Sequence, residues 1–80
     1  MTTVRVYLDS VKKVQQFVGT IAPLSGDFEL VSGNFVLDAR SLMGIFGFDL
    51  TKPVILKVYH DGADNMAAIA PFLVNTEDEK

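Results

Sequence analysis

One serine of the chain has neighbours that suit it to phosphorylation. Ser41 directly follows the basic residue Arg40 and precedes a run of apolar residues. Where a serine begins a helix, the free N–H groups of the first turn and the positive end of the helix dipole favour a bound phosphate. These residue types predict Ser41 as a regulatory phosphorylation candidate and Arg40 as the cation that pairs with its phosphate. The alternative is an ordinary serine N-cap.

The residues that follow Ser41 are crowded with apolar side chains, namely Leu42, Met43, Ile45 and Phe46. A short helix cannot turn all four side chains inward, so some of them should be exposed. An exposed apolar surface beside a switchable charge suits a protein partner. We therefore expect Leu42, Met43 and Phe46 to bind a partner. The alternative is that all four side chains pack under the neighbouring loop.

Other kinds of chemistry have little support. Cysteine is absent, and the single histidine, His60, stands among scattered carboxylates, so no metal site is expected. The serines have no plausible histidine base, and the phosphate-binding and dinucleotide-binding motifs are missing. The segment 44–47 has the Gly-X-X-Gly spacing of an RNA-clamping loop, but its middle residues are apolar. We expect neither enzyme activity nor a cofactor.

Composition sets the class of protein. Eighty residues, of which 49% are apolar, suffice for one domain with a core. The net charge of −3 argues against nucleic acid. No stretch approaches the ~20 apolar residues of a membrane span, and the first residues lack the pattern of a signal peptide. We expect a cytoplasmic domain over residues 1–74, not bound to a membrane, followed by an acidic, disordered tail at 75–80.

Apolar spacing indicates the elements that must position Ser41. Alternating apolar residues predict a first strand around Val4 and Val6, and Asp9 or Ser10 can cap the helix that follows. Five apolar residues at helical spacing form its inward stripe: Val11, Val14, Phe17, Val18 and Ile21. Together these patterns predict a strand followed by an amphipathic helix.

The rest of the chain continues in the order strand, strand, short helix, strand, helix. The predicted ranges are strands at 27–31 and 35–37 around a turn at 32–34, a short helix at 40–46, a strand at 54–59 and a helix at 63–70. An α+β fold, with an antiparallel sheet covered by helices on one face, would bury every apolar stripe at once. The predicted core residues are Phe17, Phe28, Leu30, Leu56 and Ile69.

This element order and the segment from Asp38 to Ile45 resemble the histidine-containing phosphocarrier (HPr) family of the sugar phosphotransferase system. In that family a basic residue precedes a regulatory serine at the start of a short helix, and bulky apolar residues follow. Gln16-Phe17-Val18 resembles the family's first helix, and the likeness extends from Val4 to about Leu73. The resemblance implies an open-faced β-sandwich, with a four-stranded antiparallel sheet and about three helices on one face (β-α-β-β-α-β-α).

The chain departs from the family in the active loop. That loop normally carries a histidine, then an arginine two residues on and a proline, just before the first helix. Counting back from Gln16 places Ser10 near the histidine and Lys12 near the arginine, in a shorter loop. A serine phosphate ester is stable, so Ser10 cannot replace the labile phosphoramidate of a carrier.

The chain is therefore similar to HPr-like paralogues that lack the histidine and keep the serine. The implied role is regulatory, without phosphocarrier activity. The implied partners are proteins: an HPr kinase-like enzyme, a transcription regulator or a phosphotransferase component.

Two alternatives stay open. The same order of elements builds ferredoxin-like domains, so the chain could be a small-molecule sensing module. A ligand-dependent rise in melting temperature would favour that class, whereas modification by an HPr kinase would favour the regulatory one. The other alternative is a residual carrier in which Ser10 or His60 takes phosphate.

Overall fold

Four strands and three helices make up residues 1–74, the part of the chain that the computed structural model describes. The elements are β1 (Thr2–Val6), α1 (Val11–Ile21), β2 (Phe28–Ser32), β3 (Phe35–Asp38), α2 (Leu42–Ile45), β4 (Val54–Val58) and α3 (Ala63–Ile69), and a 3₁₀ turn (Ala70–Phe72) follows. The α+β class and the element order predicted from the sequence are confirmed. The tail expected at 75–80 lies outside the described residues.

The four strands form one antiparallel sheet in the order β1-β4-β2-β3. The last strand within residues 1–74, β4, is thus central and joins β1 to the β2–β3 hairpin. Leu56 of β4 lies opposite Val4 of β1 on one side and Leu30 of β2 on the other. The sheet therefore depends on β4 for its continuity.

One face of the sheet and the helices that cover it enclose the core. All five predicted core residues are at most 1% exposed, so the inward phase assigned to each element is confirmed: Phe17, Phe28, Leu30, Leu56 and Ile69. Phe17 also packs edge to face against Phe72, with ring centroids 5.2 Å apart. Val11 differs from the prediction, because as the first residue of α1 it remains exposed.

The start of α1 follows the predicted capping pattern. Ser10 has extended backbone angles, and its hydroxyl accepts a hydrogen bond of 3.0 Å from the N–H of Lys13. The ammonium of Lys13 lies 3.6 Å from the carboxylate of Asp9. The serine cap at Ser10 is therefore confirmed.

The β2–β3 hairpin closes through the two residues Gly33 and Asn34, as its turn sequence predicts. Gly33 has a φ of +59°, which glycine adopts without steric cost. The strand that follows is one residue longer than predicted and lies at the edge of the sheet. Phe35 and Val36 are 72% and 56% exposed in consequence.

The opposite edge of the sheet is covered by the chain's own last described residues. The N–H of Tyr7 donates to the carbonyl of Phe72 at 3.0 Å, and the N–H of Val74 donates to the carbonyl of Arg5 at 2.9 Å. Val6 and Leu73 form the antiparallel bridge between these bonds. The segment 72–74 therefore pairs with the outer edge of β1 from residue 5 to residue 7.

Candidate functional site

The helix that follows Ser41 is shorter than the sequence predicted. It spans Leu42–Ile45, a single turn, instead of residues 40–46. The carboxylate of Asp38 accepts the N–H of Arg40 at 2.9 Å, and the carbonyl of Asp38 accepts the N–H of Ser41 at 2.9 Å. These bonds hold residues 38–41 in a turn, so the helix cannot begin earlier.

Ser41 occupies the N-cap position but does not cap the helix with its side chain. Its φ of −84° and ψ of 88° leave the hydroxyl without a capping hydrogen bond, and only its carbonyl bonds to the helix, accepting the N–H of Ile45 at 3.0 Å. Ser41 is therefore an N-cap by position, as the alternative predicts, but its side chain does not contribute a capping bond. The residue is exposed. A single turn also has little cooperative dipole, so the helix adds little to phosphate binding.

Arg40 directs its guanidinium toward the loop after α1. Its Nη2 donates to the carbonyl of Leu24 at 2.6 Å, and the guanidinium carbon lies 5.1 Å from the ring centroid of Phe28. Such a cation–π contact contributes on the order of 1 kcal/mol. Five N–H donors belong to a guanidinium, so the bond to Leu24 does not exhaust them. Pairing between Arg40 and a phosphate on Ser41 stays a prediction.

The apolar residues after Ser41 divide between the core and the surface. Ile45 is fully buried, Leu42 is partly buried, Phe46 is 39% exposed and Met43 is 80% exposed. The prediction that some of the four face solvent is confirmed, and the alternative that all pack inward is wrong. Ile45 therefore fixes α2 to the core while Met43 points outward.

A groove of about 340 Å³ lies between β3 and α2, and sequence reasoning missed it. It is lined by Phe35, Val36, Leu37, Gly44, Gly47 and Phe48. A Cβ atom at Gly44 would lie 2.9 Å from the hydroxyl of Ser41 and 3.3 Å from a methyl of Leu37, so a larger residue there would displace these two side chains. One sequence signal could have indicated this groove. Residues 35–37 are all apolar, without the alternation of apolar and polar residues that a half-buried strand shows.

Charge is sparse around this segment. No charged residue occurs between Arg40 and Asp49 in the sequence. The hydroxyl and the N–H of Thr51 donate to the carboxylate of Asp49 at 2.6 Å and 3.1 Å, and these bonds lower the pKa of Asp49. Residues 42–48, which follow Ser41, therefore carry no charge, whereas Arg40 and Asp38 precede it.

The segment around Ser10, which the resemblance places near the family's active loop, has a structural role. The hydroxyl of Ser10, placed near the missing histidine, is engaged as the cap of α1. Lys12, placed near the arginine, is exposed one residue before Lys13. The correspondence of Ser10 and Lys12 to the family's residues stays a prediction.

A second groove, of about 550 Å³, lies at the start of α3 beside His60 and Asn65. Asn65 is a buried polar residue, and its amide donates to the carbonyls of Ser25 at 3.0 Å and His60 at 2.9 Å. The amide nitrogen is thus engaged in holding two loops together. His60 is exposed, and among residues 1–74 no three His, Asp or Glu side chains cluster to hold a metal ion.

Comparisons with known proteins add no relative. No family model, curated protein or solved structure matches the chain. Within the described part, no helix has the length and apolar character needed to cross a membrane. The likeness to the HPr family thus rests on the residues quoted for it, chiefly the segment 38–45.

Proposed function

We propose that this protein is a cytoplasmic regulatory module of the HPr-like kind, which binds a protein partner and has no phosphocarrier activity. Met43 carries the proposal. Its side chain is 80% exposed, although Ile45, two residues on, anchors the same turn in the core. Methionine is flexible and polarizable, and it is common at surfaces that bind proteins. Leu42, Met43 and Phe46 form the proposed binding surface.

Ser41 supplies a switch beside this surface. Its hydroxyl is exposed, makes no capping bond and lies next to Gly44 of the same turn. Phosphorylation would add a charge of about −1.5 to −2 at pH 7. Because residues 42–48 carry no charge, that charge would change the local field and alter the affinity of any partner seated on Met43.

The proposed modification is testable with an HPr kinase. Wild-type chain and Ser25→Ala should both gain one phosphate, and Ser41→Ala should gain none. Ser25 is a matched control because it is an exposed serine in another loop. Intact-mass spectrometry, followed by localisation of the phosphate, measures the result. Modification of Ser41→Ala to the wild-type extent would place the acceptor elsewhere.

The proposed binding surface is testable with the same kinase and with any phosphotransferase component recovered by pull-down. Met43→Asp should raise the dissociation constant about tenfold or more, equivalent to about 1.4 kcal/mol, because a carboxylate would be desolvated against an apolar partner. Val11→Asp is the matched control, since Val11 is 60% exposed on α1. If wild-type chain is not phosphorylated and Met43→Asp retains every partner, the regulatory proposal fails.

The absence of carrier activity is a separate prediction. Incubation with the family's upstream enzyme and labelled phosphoenolpyruvate should leave this chain unlabelled, while a histidine-containing HPr in the same assay is labelled. Ser10 is engaged as a cap, and a serine ester does not transfer its phosphate readily. Acid-labile label on His60 or any other residue would contradict the proposal.

Small-molecule sensing is the competing class. A small-molecule ligand would bind in the groove beside His60. The buried amide nitrogen of Asn65 in that groove, however, already donates to two carbonyls. No observation at that groove favours a ligand over the structural role of Asn65. A ligand-dependent rise in melting temperature would favour this class instead.

A further inference from the structure

The two edges of the sheet differ. The outer edge of β1 is paired with the segment 72–74, whereas within residues 1–74 no strand pairs with the outer edge of β3. An unpaired strand edge is a template for another strand, and proteins usually protect it with lysine or proline. The sequence of β3, Phe35-Val36-Leu37-Asp38, contains neither.

The hydrogen-bonding groups on that edge can be identified from the register. Phe35 and Leu37 lie opposite Ser32 and Leu30, and the two-residue turn makes these the pairs that exchange hydrogen bonds. The N–H and carbonyl of Val36, together with the N–H of Asp38, consequently point away from the sheet. The carbonyl of Asp38 already accepts the N–H of Ser41.

The surface around this edge is apolar. Phe35 and Val36 are 72% and 56% exposed and lie on opposite faces of the sheet, and together they expose on the order of 200 Å² of apolar surface. A standard interface covers about 800 Å² per partner, of which about 60% is apolar. These two side chains would therefore supply nearly half of the apolar area that a dimer needs, and the outward groups of Val36 would add hydrogen bonds.

We propose that β3 pairs antiparallel with β3 of a second copy, about a two-fold axis at Val36. A symmetric antiparallel pair needs one residue that faces its own equivalent. If that residue were Leu37, the hydrogen bonds would fall between Val36 and Asp38, whose carbonyl already accepts the N–H of Ser41. The registers with outward bonding groups on the axis are those centred on Val36 and on Asp38. Self-pairing at Asp38 would set two carboxylates opposite each other, which is destabilising. Self-pairing at Val36 places the two Asp38 side chains about 13 Å apart, beyond a Debye length of roughly 8 Å.

The proposed pairing also fills the groove between β3 and α2. In this register Phe35 of one copy lies opposite Leu37 of the other, on the face where Gly44 and Phe48 line the groove. The four strands of each copy would join in one continuous sheet. Because the segment 72–74 covers the edge at β1, pairing through β3 closes at two copies and does not propagate into a filament.

Sedimentation velocity over micromolar to millimolar concentrations tests the dimer with the full chain alone. We expect wild-type protein to pass from monomer to dimer as the concentration rises. Val36→Lys should raise the dimer dissociation constant about tenfold or more, because it opposes two ammonium groups at the two-fold axis. Val36→Pro should weaken the dimer as well, by removing an outward N–H without disturbing the bonds to β2.

Val11→Lys is the matched control, because Val11 is the same residue type and is 60% exposed on α1. It should dimerise like the wild type. Circular dichroism and thermal melting at low concentration verify that each variant is folded. A wild-type chain that stays monomeric up to millimolar concentration overturns the proposal, as does a folded Val36→Lys that dimerises like the wild type. Neither result depends on a kinase, so this test is independent of the regulatory function proposed above.

Discussion

Replacing Leu56 by alanine should lower the free energy of unfolding by about 2–5 kcal/mol. Leu56 is fully buried in the central strand β4, between Val4 and Leu30 of the neighbouring strands. A chain of 80 residues has a total stability of only about 4–12 kcal/mol. The substitution therefore removes a large part of it. Tryptophan is absent, so urea unfolding is best followed by far-ultraviolet circular dichroism.

The neighbouring residue supplies the control. Ile55 lies on the other face of β4 and is 38% exposed, so Ile55→Ala should cost about 1 kcal/mol. If Leu56→Ala does not fold, Leu56→Met keeps most of the volume and should cost less than about 1.5 kcal/mol. A loss below about 1 kcal/mol for Leu56→Ala would mean that the core is not organised around β4.

Gly26→Ala should destabilise the fold by about 2–4 kcal/mol, through backbone strain and a steric clash together. Gly26 has a φ of +88°, a conformation that costs an L-residue roughly 1–2 kcal/mol. A Cβ at this position would lie 2.5 Å from the Cβ of His60 and closer still to its ring. His60 cannot move away freely, because its carbonyl accepts a hydrogen bond from the buried Asn65.

Gly33→Ala separates the cost of backbone strain from the cost of the steric clash. Gly33 has a φ of +59°, but nothing lies within 4 Å of the position its Cβ would take. It should therefore show the backbone cost alone, on the order of 1 kcal/mol. Equal losses at Gly26 and Gly33, measured by urea unfolding, would show that the close approach of His60 does not constrain the fold.

Those parts of the fold that depend on local signals were predictable from the sequence. The period of the apolar residues identified the core positions Phe28, Leu30 and Leu56, because side-chain direction repeats every two residues along a strand. The cap at Ser10 was equally visible, since its partner is only three residues away. The turn at Gly33 was predictable for the same reason, because glycine and asparagine favour tight turns wherever they occur together.

The features that escaped prediction depend on residues distant in the sequence. Arg40 binds the carbonyl of Leu24, sixteen residues away, and no local pattern indicates that contact. Ser41 is a different case: it occupies the N-cap position, but its side chain does not cap the helix, although the bonds that hold residues 38–41 in a turn are local. The exposure of Val36 follows from the order of the strands, which is a property of the whole sheet.

The central place of β4 has a consequence for biosynthesis. β1 and β2 both pair with β4, so β1 has no partner in the sheet until residues 54–58 have left the ribosome. Before that point the nascent chain can form only α1, α2 and the β2–β3 hairpin, with the apolar face of β1 uncovered. Pairing across some fifty residues also carries a large loop-closure entropy, which slows folding. We therefore expect the domain to fold after most of its chain has been synthesised, in one late step in which β4 inserts between strands that were made before it.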